Sequence, residues 1–173
     1  MALTYEAIAT VTVTGATAAT IGFTSIPGTY TDLLILCSFR NDRSATEDAV
    51  KMSLNGSTSN FTTRSLSGDG SAAASNTNLV TAFGGMSVSA TATASTFSNN
   101  MVYIPNYTSS NAKSYSVEAM CETNGSTAYM YVIAGLWNPS TQAAITSISF
   151  APNLGTNFVQ YSTATLYGIK NTV

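Results

Sequence analysis

Apolar and polar residues alternate along much of this chain with a period of two, the spacing of a strand with one buried face. Residues 4 to 13 place Tyr5, Ala7, Ala9, Val11 and Val13 on one side and Thr4, Glu6, Ile8, Thr10 and Thr12 on the other. Gly15 ends that run. Ala19 to Ile26 reads as a shorter strand leading into a Pro27-Gly28 turn, where Pro presets φ and Gly accepts a positive one. Behind the turn, Leu33 to Phe39 is almost wholly apolar and too short for an ordinary helix. It predicts a central core strand buried on both faces. A polar loop comes next, with Arg40, Asp42, Arg43, Glu47 and Asp48 gathering much of the chain's charge. Val50 to Leu54 alternates again, and Asn55-Gly56 is a strong hairpin signal, predicting a return strand over Phe61–Leu66.

Residues 67 to 98 are rich in Gly, Ala, Ser and Thr, with Leu79, Val80, Phe83, Met86, Val88 and Phe97 as the apolar positions. A long loop with short strands is expected there. Further strands are expected over 100–107, ending at Pro105, over Tyr115–Cys121, and over Thr127–Trp137 after an Asn124-Gly125 turn. Ile145 to Phe150 leads to a turn at Pro152-Asn153, and a last strand runs from Phe158 to Ile169. That strand is expected to lie in the core sheet near Leu33–Phe39. The count is nine to ten strands, with no helical window and no fixed-period repeat. Residues 1–173 therefore predict a single domain, an antiparallel all-β sandwich of jelly-roll type.

Composition narrows the class. Charged residues make up 8% of the chain, far below the roughly 25% usual in soluble domains. That excludes disorder driven by charge repulsion. Six Lys and Arg, a net charge of −2 and a pI near 4.8 leave no basic stripe for nucleic acid. No run of 18 apolar residues predicts a membrane span, and the start lacks the pattern of a secretory signal. Cys37 and Cys121 both sit in strand-like runs and are expected to be buried free thiols.

Candidate chemistry is sparse. There is no histidine, which removes histidine-dependent triads and histidine metal sites. No phosphate-binding Gly-rich loop stands between a strand and a helix. Glu118 and Glu122 share a strand face, but about 13 Å apart at a rise of about 3.3 Å per residue, beyond either glycosidase spacing. Asn41-Asp42 with Glu47-Asp48, or Gly68-Asp69-Gly70, offer oxygens without a recognised calcium-loop spacing. The expectation is a non-enzymatic protein with no cofactor and no resident metal.

Phe23-Thr24-Ser25-Ile26-Pro27, Thr29-Tyr30-Thr31-Asp32-Leu33 and the closing Thr165-Leu166-Tyr167-Gly168-Ile169-Lys170 resemble small virion surface proteins of tailed bacteriophages, especially decoration, fibre-tip and receptor-contacting proteins of marine and cyanobacterial phages. The likeness covers about a fifth of the chain, at its two ends. It implies a β-sandwich structural protein, commonly a homotrimer, folded in a host cytoplasm and mounted on a capsid or tail. It brings no catalytic residues. The expected role is a capsid decoration (cement) protein contacting other virion proteins. The alternative is a tail-fibre module recognising host carbohydrate.

These readings single out two residue sets. Along Thr127–Trp137, one strand face carries Met130, Val132, Ala134 and Leu136, and the other carries Tyr129, Tyr131, Ile133 and Trp137. Both faces are apolar, and the aromatic one is the expected interface with a neighbouring subunit or the capsid. For a carbohydrate module, Tyr103, Tyr107, Trp137 and Tyr161 would offer ring faces, with Asn106 and Asn138 as polar neighbours.

Overall fold

A computed structural model describes residues 4–77, 82–125 and 128–170 of the chain. They form fourteen strands: β1 (Thr4–Thr12), β2 (Thr17–Ala18), β3 (Ile21–Phe23), β4 (Asp32–Ser38), β5 (Glu47–Leu54), β6 (Phe61–Gly68), β7 (Ala73–Thr77), β8 (Phe83–Val88), β9 (Asn99–Ile104), β10 (Lys113–Cys121), β11 (Tyr129–Trp137), β12 (Ile148–Pro152), β13 (Phe158–Val159) and β14 (Thr163–Lys170). There is no helix among the described residues. The expected all-β antiparallel sandwich is observed, with more strands than the nine to ten read from sequence.

An eight-stranded sheet in the order β1-β14-β4-β9-β10-β11-β6-β7 faces a four-stranded sheet in the order β3-β12-β5-β8, and β13 pairs with β2 in a small third sheet. The inward side chains interdigitate. Leu33 and Ile35 of β4, Val102 and Ile104 of β9, Val117 of β10 and Leu166 of β14 meet Ile21, Val50, Met52, Leu54, Ile148 and Phe150 from the smaller sheet, all buried. Phe39, just past β4, stacks on Phe158 at 4.7 Å and tilts against Phe150 at 5.6 Å, closing one end of the core.

Strand β4 is central, as its apolar run predicts, paired along its length with β14 and along most of it with β9. It is not buried on both faces: Leu34 is half-buried and Leu36 is exposed. The small sheet covers only one side of the large one, so an apolar run here reports one buried face and one open apolar face. In β1 the register shifts between Ala7 and Ala9, and Ile8 and Val11 are the residues that pack on the core. The expected face of Tyr5, Ala7 and Ala9 is thereby turned outward, all three exposed. Asn55 and Gly56 do adopt the positive φ of a tight turn, at 50° and 76°. The strand after it, β6, nevertheless crosses to the large sheet and pairs with β11 rather than with β5. Asn124 (φ 55°) starts the turn into β11, and β10 and β11 pair in register from Lys113–Trp137 to Cys121–Tyr129.

The Ala/Ser/Gly-rich stretch supplies β7 on the edge of the large sheet and β8 on the edge of the small one; Leu79 and Val80 lie outside the described residues. Strand β8 is held to the large sheet by the side chain of Asn100 on β9. Its Oδ1 accepts the Met86 backbone N–H at 2.7 Å, and its Nδ2 donates to the Met86 carbonyl at 3.0 Å and to Ser98 Oγ at 3.0 Å. The amide thus pairs with β8 as a neighbouring strand would. Gly85 makes room for it, because a Cβ there would lie 2.7 Å from Asn100 Oδ1, and its φ of 144° suits glycine. Residues 89–98 then wrap around the buried Arg40, whose guanidinium donates to the carbonyls of Ala92, Thr93 and Thr96 at 2.8–3.2 Å.

Asn100→Leu keeps the branched outline of the side chain but leaves the buried N–H of Met86 without its partner, while the Met86 carbonyl keeps the Ser98 hydroxyl at 2.7 Å. It is expected to destabilise the fold by roughly 1–3 kcal/mol, the cost of one unsatisfied buried group. Chemical denaturation measures this; a loss below about 1 kcal/mol would show that the Asn100 seam is not what holds β8.

Candidate functional surface

Strand β11 decides which face of the large sheet is available. Ile133 and Trp137 are 1% and 4% exposed, while Met130 and Val132 are 55% and 53% exposed. The expected interface face of Tyr129, Tyr131, Ile133 and Trp137 therefore points inward and is corrected. Ile133 and Trp137 belong to the core, and Tyr129 and Tyr131 are half-buried against it. Part of the cover comes from the same chain: Phe83 of β8 packs on Tyr131 at 5.6 Å, and Phe61 of β6 stacks on Trp137 at 6.1 Å. Sequence alternation shows that two apolar faces exist, but not which of them the rest of the chain covers.

The face left open is the opposite one. Pairing sets Leu66 beside Val132, Val132 beside Glu118, Glu118 beside Met101 and Met101 beside Leu36, a row across five strands. At about 4.8 Å between strands, this row spans about 19 Å. One step along the strands, Met120 stands opposite Met130. Leu36, Leu66, Met120, Met130 and Val132 are all exposed. Gly68 and Ala73 leave a depression of about 240 Å³ beside Leu66, Met130 and Val132. Arg64 and Glu118, both exposed, carry opposite charges on either side of β11.

The expected carbohydrate residues are not assembled. Tyr107 is fully buried, its hydroxyl donating to the Pro27 carbonyl, and Trp137 is buried on Phe61. The Tyr103 hydroxyl donates to Asp32 at 2.9 Å, and burial, then that carboxylate, push its pKa up to about 12. Asn106 lies near it, its backbone N–H also bonding Asp32. Tyr161 is exposed in the turn before β14, beside Val13 and so at the opposite end of the sheet from Asp32. Asn138 is exposed just past β11, its N–H bonding the Asn60 carbonyl. The grouping fails because its members occupy different strand ends and two of them fill the core.

The carboxylates singled out as possible ion ligands are engaged by the protein itself. Asp42 accepts from the backbone N–H groups of Thr156 and Asn157 and from the Asn157 side chain at 2.7–3.0 Å. Asp48 Oδ2 accepts from Asn41 Nδ2 and from the backbone N–H groups of Leu154 and Gly155. Asp69 accepts from Ser71 and Ala72 within its own turn. Among the described residues no group of three His, Cys, Asp or Glu side chains is placed to hold a metal ion. Cys37 and Cys121 are buried free thiols whose pKa values burial raises, that of Cys121 to about 12. Lys113 shares the inward face of β10 with Tyr115, Val117, Ala119 and Cys121. It is buried there as a charged residue, and its ammonium donates to the Ser109 and Asn111 carbonyls of the preceding loop.

No protein-family model, curated protein or solved structure matches this chain. The functional reading therefore rests on its own surfaces.

Burial acts to raise the Asp42 carboxyl pKa, but the hydrogen bonds from Asn157 and Thr156 outweigh it and leave the group below its ordinary value. A folded-state pKa below the unfolded one contributes stability above about pH 4, and that contribution is lost as pH falls through the folded value. Asp42→Asn is thus expected to lower stability at neutral pH, with the gap to wild type closing below about pH 4. Urea melts from about pH 7 down to about pH 2.5 measure it, and a gap that is constant with pH would refute the linkage.

Proposed function

We propose that this protein is a non-enzymatic structural subunit of a virion surface, a capsid decoration protein that works by protein–protein contact. The observation that supports this reading best is the open apolar face of the large sheet. A free monomer would be poorly served by Leu36, Leu66, Met120, Met130 and Val132 exposed on one sheet face, because apolar patches mark contact surfaces or invite aggregation. The low charge of the chain supplies little to keep such a face apart from others. The resemblance of both chain ends to phage surface proteins supports the same reading. It makes a homotrimer the expected assembly, formed in a host cytoplasm and displayed on the particle.

In this reading the contact surface is the Met130/Val132 face, with its partner either another copy or a capsid protein. Arg64 and Glu118 give the patch one charge of each sign, so a second copy can be met with complementary charge. Surface burial supplies affinity, and the two charges set orientation.

Val132→Asp puts a charge at the centre of this face without touching the core. Light scattering is expected to find a homo-oligomer for wild type and a monomer for Val132→Asp that still melts cooperatively, at a lower temperature because it lacks the stabilisation of association. A monomeric wild type at micromolar concentration, together with fewer than about twenty copies on purified particles, would contradict the decoration role.

A further inference from the structure

The chain contains two Asn-Gly dipeptides, Asn55-Gly56 and Asn124-Gly125, each followed by serine. Such a pair is prone to lose the asparagine amide, because glycine has no side chain to block attack by its own nitrogen on the preceding carboxamide. Both asparagines are exposed, and both hold a positive φ, 50° at Asn55 and 55° at Asn124. Local sequence and exposure therefore do not tell the two sites apart. What the fold attaches to each of them does.

Asn55 is tied down through side chain and backbone. Its Nδ2 donates to the Ala144 carbonyl at 2.8 Å, and its Oδ1 accepts from the backbone N–H groups of Thr146 and Ser147 at 2.8 and 3.2 Å. Its own N–H donates to the Ser147 carbonyl at 2.9 Å. Leu54 and Ser57 close the turn around it by exchanging both backbone hydrogen bonds, at 2.9 and 3.0 Å. The Asn124 carboxamide, by contrast, has no hydrogen-bond partner among the described residues. Only its backbone N–H is engaged, donating to Glu122 Oε1 at 2.7 Å. The β10–β11 ladder ends at Cys121–Tyr129, so strand pairing does not close directly around Asn124-Gly125.

We propose that Asn124 is a site of spontaneous deamidation in the folded protein, and that its hydrogen bonds protect Asn55 from the same reaction. Attack requires the asparagine ψ and side-chain torsions to turn until the glycine nitrogen lies against Cγ. Gly125 N then gives its proton to solvent base and bonds to Asn124 Cγ. The Cγ–Nδ2 bond breaks, and the nitrogen takes up a proton and leaves as ammonia. Water opens the resulting five-membered imide at either carbonyl. One opening gives aspartate, and the other gives isoaspartate, in which the main chain runs through the side-chain carboxyl carbon. Water is the only co-reactant, and nothing is oxidised or reduced. At Asn55 the carboxamide must first abandon its bonds to Ala144, Thr146 and Ser147, each a net stabilisation, while the closed turn resists rotation of ψ. At Asn124 the bond to Glu122 fixes neither ψ nor the side chain. Each event adds one negative charge beside Glu122, at the end of the β10–β11 hairpin, to a chain of net charge −2.

Peptide mapping by mass spectrometry tests this on full-length protein held at mildly alkaline pH below its melting transition. The Asn124 peptide is expected to gain the mass of deamidation and to split into two chromatographic isomers. Methyl transfer by a protein isoaspartate methyltransferase identifies the isoaspartate form. The Asn55 peptide is expected to convert at least about tenfold more slowly, the scale of one or two hydrogen bonds. In urea the two rates should converge, since the reacting residues are the same. Gly125→Ala adds a Cβ whose one close neighbour is the Thr123 hydroxyl, at 3.1 Å, and it should slow conversion at Asn124; a thermal melt checks that the variant folds. The proposal falls if Asn124 converts in urea but stays intact in the folded protein, or if folded Asn55 converts as fast as Asn124. It falls equally if Asn55 remains the slower site in urea, or if folded Gly125→Ala deamidates at the wild-type rate.

Discussion

The hydrogen bonds of one side-chain amide hold the edge of the small sheet in place. Asn100 stands in a strand of the large sheet, yet its amide offers an acceptor and a donor to the backbone of Met86, as another strand would. It sits in the core, where an unmade hydrogen bond costs most, so β8 is fixed in position rather than merely attracted by burial. Gly85 is the counterpart, since any side chain there would occupy the space of the amide. Arg40 extends the constraint, gathering the carbonyls of the loop after β8 around one guanidinium. Burial lowers its pKa, a sign of how far the charge has been drawn from water.

That constraint produces a sandwich of unequal halves. Four strands cannot cover eight, and because β8 is pinned over β9 and β10, Phe83 lands on Tyr131 and closes part of the inner face of β11. The partial cover leaves Tyr129 and Tyr131 half-buried. The outer face of the large sheet has no covering layer among the described residues, although its strands carry leucine, methionine and valine there. Two glycines on the large sheet serve a related end. The Tyr115 ring lies over Gly135 and the Tyr30 ring over Gly168, each where a Cβ would clash, so aromatic rings shield weak positions of the central strands.

The strands are largely legible in the sequence because strand alternation is a local property. Lys113 to Cys121 alternates in burial without a fault, and Asn124-Gly125 marks its hairpin, so β10, β11 and their pairing can be read directly. The final strand lies beside Leu33–Phe39, as its apolar pattern leads one to expect. The features that stay hidden depend on distant partners. Asn55-Gly56 encodes a turn, but nothing local says that the next strand leaves for another sheet. A polar Asn100, a buried Arg40 and an inward Lys113 look like surface residues until the carbonyls that receive them are known. The two apolar faces of β11 are equivalent in sequence, and only the position of β8 breaks the tie.

The claim that the outer sheet face is the assembly surface can be tested with the protein's own methionines. Met120 and Met130 lie on that face, while Met52 and Met86 are buried in the core. With carbon-13-labelled methionine methyl groups and a soluble paramagnetic agent, dilute protein should show Met120 and Met130 strongly broadened and Met52 and Met86 protected. On concentration, or on addition of stripped capsids, Met120 and Met130 should become protected while the core signals stay unchanged. If Met120 and Met130 remain equally broadened in the free and assembled states, the outer face is not the contact surface and the assembly claim is wrong.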